Sequence, residues 1–137
     1  MSHYTTIESQ IKDSQCLIES LQELMNLKPE QIEIHEEAQN LYDYTGTMRP
    51  QKANIIIRRQ YVGLASNDMG FVRQPNGTYD IIVDDFSRSR HQYDQKWVGK
   101  LKQLYNSKVT IKTTKKMCKK VTKTILPNRT IKIAIEI

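Results

Sequence analysis

Cysteine is almost missing from this chain: Cys16 and Cys118 are the only two in 137 residues. A disulfide scaffold needs more cysteines and export, so both are read as reduced thiols. Five glycines and four prolines exclude a collagen-like or linker-like chain. No apolar run approaches the roughly 18 residues that span a bilayer, and the longest, Ile55–Ile57, is the size of a strand. The first residues lack a cationic segment followed by an apolar one. Glu8 and Asp13 argue against an acidic-poor transit peptide, so a soluble protein that works where it is made is expected.

Catalytic signatures are missing too. There is no glycine-rich phosphate loop, no nucleophile elbow and no histidine pair at metal-binding spacing. His35-Glu36-Glu37 lacks the second histidine of a zinc-protease helix, and His3, His35, His91, Cys16 and Cys118 lie far apart. No catalytic residue, metal ligand or cofactor is therefore expected.

Acidic residues run out in the last third. Residues 1–95 hold nine Lys and Arg against 14 Asp and Glu, whereas residues 96–137 hold 12 against Glu136 alone. Such polarity suits a surface that meets phosphate or an acidic partner, and it equally suits a solvated face. Ile, Lys and Asn total 37 residues while Ala, Gly and Pro total 13. These are the products of A/T-rich and G/C-rich codons respectively, so an A/T-rich genome is implied.

What remains is patterned for a globular domain, with 38% apolar and 26% charged residues. Tyr4–Lys12 alternates and predicts a strand. Asp13 or Ser14 then caps a helix whose stripe is Leu17, Ile18, Leu21, Leu24 and Met25, with Pro29 just beyond its end. Gln31–Glu36 predicts a short strand, residues 37–51 a loop with an extended piece near Leu41–Tyr44, and Ala53–Arg58 a strand covered on both faces. Residues 59–69 give no clear pattern. Gly70–Gln74 and Thr78–Asp84 flank Pro75-Asn76-Gly77 as a hairpin.

Tyr93, Trp97, Leu101, Leu104 and Tyr105 mark a second helix, and Thr110–Lys120 continues it by composition although Val109 and Ile111 alternate like a strand. Val121–Leu126 and Arg129–Ile137 flank Pro127-Asn128 as a second hairpin, with Ile131, Ile133, Ile135 and Ile137 in line. That last run predicts an integral strand of the sheet, whose deletion unfolds the domain. The expected fold is α+β: one domain over 1–137, an antiparallel sheet of about five to seven strands, and two or three helices packed on one face.

Several residues are weighed as sites. Asp80 and Asp84 share a strand face beside Asp85, but a solvated strand end explains them without a cation. Ser87-Arg88-Ser89-Arg90-His91 precedes a helix N-terminus, where phosphate is welcome. Tyr93 and Trp97 could stack nucleobases if exposed, and their helical spacing points instead to core packing. The candidate phosphate or nucleic-acid contacts are Arg88, Arg90, Lys115, Lys116, Lys119 and Lys120.

Taken in order, Met1–Ile7, Ile11–Asp13, Gln51–Arg58, Asp68–Phe71, Tyr79–Asp84 and Asn128–Ile133 carry a resemblance. The chain resembles the uncharacterised family of hypothetical chloroplast open reading frame thirty-five, of algal plastids and cyanobacteria. Its members have Asp-Gly where this chain has Asn128-Arg129. The resemblance implies a plastid-encoded stromal protein and brings no catalytic residues with it. Two readings stay open: a non-enzymatic accessory or interaction domain with a protein partner, and RNA binding through the basic C-terminal part. A small enzyme with an unrecognised site is a third. Oligomeric state is not legible.

Overall fold

The protein's structure is a computed structural model that describes residues 3–63, 65–84 and 92–117, with the backbone of 120–125 and 131–136. It is α+β. Strands β1 (Tyr4–Ile7), β2 (Glu33–Tyr42), β3 (Met48–Ile57), β4 (Met69–Arg73) and β5 (Tyr79–Asp84) form one antiparallel sheet in the order β1-β5-β4-β3-β2. Helices α1 (Ser14–Met25), α2 (Arg59–Val62) and α3 (Gln95–Met117) complete it, with a 3-10 turn at Pro29–Gln31. A separate two-stranded sheet pairs β6 (Lys120–Ile125) with β7 (Ile131–Glu136).

The two long helices share one face. Asp13 starts α1 by accepting the Cys16 N–H at 3.0 Å, and Asn26 ends it in the left-handed conformation. Its apolar stripe buries Leu17 and Leu21 against Ile55, Ile57, Phe71, Ile81 and Val83 of the sheet and Val98, Leu101 and Tyr105 of α3. Each such side chain removed from water contributes about 1.5–3 kcal/mol. Tyr105 joins the helices more specifically, because its phenol oxygen accepts the Lys12 and Asp13 N–H groups, each at 2.9 Å.

The opposite face carries a smaller cluster of Leu41, Ala53, Ile56 and Ile82. Gly70 lies among them, paired with Ile56 and Ile82. Residues 37–51 are not the expected loop. They form the outer halves of β2 and β3, joined by a tight turn in which Asp43 accepts the Thr45 and Thr47 N–H groups and Gly46 has φ +82°. Register shifts between Ile34 and Gln39 and between Asn40 and Tyr42 break the alternation that would have revealed them. Asn54 spans the first shift, donating to the His35 and Glu36 carbonyls while accepting the Arg73 N–H.

The remaining expectations divide similarly. β1 ends at Ile7, short of Lys12, although Ile11 is still buried. The first hairpin forms as expected, with positive φ at Gly77 but not at Asn76. Helix α3 runs through Thr110 to Met117, as composition rather than alternation indicated, but Lys120, expected in the same helix, opens β6 instead. β6 and β7 are strands, but the expectation that the C-terminal strand is integral to the main sheet is corrected. Among the described residues β7 pairs with β6 alone, Ile131 opposite Ile125 and Ile135 opposite Val121. A sequence run specifies that a strand forms; which sheet receives it is a tertiary matter.

Candidate functional site

Two constellations stand out, one half-buried and one open. The half-buried one gathers around Arg58, just after β3. Its guanidinium grips Glu33 with both forks, Nε to Oε2 at 2.6 Å and Nη2 to Oε1 at 2.8 Å. Its Nη1 donates to Asp68 Oδ2 at 2.8 Å, and its plane lies over the Tyr42 ring. Asp68, only 1% exposed, also accepts the Tyr42 and Arg59 N–H groups at 2.8 and 2.7 Å. Tyr4 donates its hydroxyl to the Asp68 carbonyl, and His35 lies 2.8 Å from Glu33.

The electrostatics of this group lock it. The hydrogen bonds to Arg58, opposed by burial and helped by His35, hold the Glu33 carboxyl below the usual carboxylate range. The Arg58 guanidinium is held still more firmly in its charged form by Glu33 and then Asp68. Burial raises the Tyr4 phenol. Each shift strengthens the resting protonation state, which is the opposite of a group poised to exchange protons near neutrality. The arrangement is a brace tying β2, β3, the start of α2 and the residue before β4. A hollow of about 410 Å³ beside it is lined by Tyr42, Gly46, Arg58, Arg59, Gln60 and Asp68. Sequence reasoning did not single out Glu33, Arg58 or Asp68, although Arg58 closes and Asp68 opens two of the resemblance segments.

The open constellation lies between α1 and α3. A groove of about 480 Å³ is lined by Gln15, Cys16 and Glu19 on one wall and by Lys108, Ile111, Lys112, Lys115 and Lys116 on the other. Lys112 donates to Asp13 at 2.7 Å, which lowers the Asp13 carboxyl and raises the lysine. Lys108 lies 3.8 Å from Glu23. Burial pushes the Cys16 thiol up, so it stays protonated.

Of the six residues expected to contact phosphate, only Lys115 and Lys116 can be placed, both exposed in the last turn of α3. Arg88, Arg90 and Lys119 lie outside the described residues, and of Lys120 only the backbone is described, opposite Glu136. The N-terminus of α3 is already met by Asp94, which accepts the Trp97 N–H at 3.1 Å. Tyr93 and Trp97 pack edge to face with centroids 4.9 Å apart, Tyr93 buried and donating to the Val62 carbonyl. Asp84 is buried and accepts the Asn67 N–H, while Asp80 is half-buried; Asp85 lies outside the described residues. No group of three or more potential metal-ligating side chains occurs among the described residues.

Residues 24–126, from the end of α1 past the start of the C-terminal hairpin, match the family described as protein of unknown function (DUF1257). The chain belongs to this DUF1257 family. The match takes in the whole of α3 and every residue of the brace except Tyr4. No curated protein and no solved structure matches the chain. Membership of the DUF1257 family leaves the activity to be argued from the two constellations.

Proposed function

We propose that this DUF1257-family protein is a non-enzymatic interaction domain acting in the plastid stroma. The observation that carries the functional part is the second half of α3. Beyond Val109 the helix leaves the core and presents Ile111, Lys115, Lys116 and Met117 to solvent along a groove. Exposed apolar side chains ringed by charge on a rigid element suit recognition. Buried Asp68 and half-buried Glu33 and Arg58 are engaged with one another, Asp68 also with backbone N–H groups, so their role is to hold shape. The plastid address is supported by the resemblance to the chloroplast open reading frame family and by the A/T-rich residue usage.

Affinity capture with tagged protein, comparing the native chain with one altered at Ile111, tests the functional reading. A partner recovered by the first and lost by the second is expected. Turnover of a small molecule in a metabolite mixture, abolished by Asp68→Asn in a chain that still folds, would reject the reading in favour of an enzyme. Organelle fractionation tests the address: recovery outside the stroma rejects it.

A further inference from the structure

Helix α3 has a face that changes chemistry half-way. Val98, Leu101 and Tyr105 follow a three-four spacing, and all three are buried against the sheet and α1. Continuing that spacing gives Lys108, Lys112 and Lys115. The stripe that meets the core in the first half is therefore a lysine stripe in the second, and it borders the groove beside α1. The whole helix carries seven lysines and no acidic residue over 23 positions, a length of about 35 Å.

The molecule itself shows what such a stripe accepts. Where α1 reaches it, Asp13 pairs with Lys112 at 2.7 Å and Glu23 approaches Lys108. Past α1, Lys115 and Lys116 have no carboxylate partner among the described residues, and Ile111 between them and Lys108 is 53% exposed. We propose that the α1–α3 groove docks an acidic, amphipathic segment of a partner protein. One large apolar side chain seats on Ile111, and carboxylates on either side reach Lys115 and Lys116. Ile111, exposed on the groove wall, gives an amphipathic peptide an apolar contact that a run of phosphates cannot use. This inference rests on the interaction-domain reading and gives it a site and a partner chemistry.

The test uses the full chain and a fluorescent 20-residue helical probe peptide with Leu every third or fourth position and Glu elsewhere. A Gln-for-Glu version and a single-stranded RNA of 20 nucleotides serve as controls. Anisotropy should show binding of the acidic peptide that weakens with salt, with perturbed amide signals confined to residues 15–19 and 108–116. Lys115→Glu with Lys116→Glu should weaken it about tenfold or more, and Ile111→Ser should do likewise, with unchanged thermal melting because all three side chains are exposed. Equal binding of the Gln peptide, indifference to the variants, or tighter binding of the RNA at the same residues overturns the proposal. If the peptide fails but affinity capture still yields a partner insensitive to Lys115 and Lys116, this site is wrong and the interaction reading survives on another surface.

Discussion

Gly70 shows how little room the sheet's second face leaves. A Cβ placed there would lie 2.6 Å from the Ala53 Cβ and 3.2 Å from both Leu41 Cδ atoms. The first neighbour is rigid, so Gly70→Ala should destabilise by about 1–3 kcal/mol in urea unfolding, and adding Ala53→Gly should recover part of it. Asp68→Asn should cost about 1–3 kcal/mol, because Arg58 loses one of its two carboxylate partners while the buried Asp68 position keeps its backbone donors without a charge to accept them. Acid should act on the brace and on the Asp13–Lys112 pair between α1 and α3. Glu33 and Asp13 have carboxyls held below their usual values, by Arg58 and Lys112 respectively. The stability they contribute is present above the unfolded values near ~4 and is lost as pH falls through the lower folded ones. Urea midpoints should therefore be nearly level from about pH 7 to 5 and fall below about pH 4, with a shallower acid limb in Glu33→Gln. At this scale the sequence narrowed the cap to Asp13 or Ser14, because capping is local, and the structure has Asp13. The brace was hidden, because Glu33, Arg58 and Asp68 meet only after three strands are in register.

Among the elements, α3 is two helices in one. Leu101→Ala, at a position with no exposure, should cost about 2–5 kcal/mol, whereas Ile111→Ala should stay within about 0.5 kcal/mol in the same unfolding assay. A cost at Ile111 comparable with that at Leu101 would mean that this half of the helix is packed. Its first half was readable from Trp97, Leu101 and Tyr105, and its second from composition alone, since lysine and threonine give no apolar stripe to follow. The helix α1 and the hairpin at Gly77 were readable in full, because a cap, a periodic stripe and a turn residue act over a few neighbours. The long β2–β3 hairpin was not, since its bulges shift the alternation and its outer halves are polar. Asn54 closes the larger shift with side-chain hydrogen bonds that no periodicity announces.

For the whole molecule, the relation of the C-terminal hairpin to the rest is the point to test. Because β6 and β7 form a sheet separate from the five-stranded one, and the core residues among those described come from elements before it, a chain ending at Met117 should retain a cooperative transition. Its Tm should lie within about 4 °C of the full chain, the shift expected of ~1 kcal/mol. Loss of that transition would restore the earlier expectation that the terminal strand is integral. The sequence by itself determined the class of the fold, the principal helices, the central strand and both hairpins, because burial patterns and turn chemistry are written locally. It also determined the concentration of positive charge in the last third. Only the tertiary structure decided which sheet receives the last strands, which distant charges neutralise each other, and where α3 stops being core. Those outcomes depend on the mutual placement of elements far apart in the chain, and that placement is set by packing and strand register rather than by any one segment.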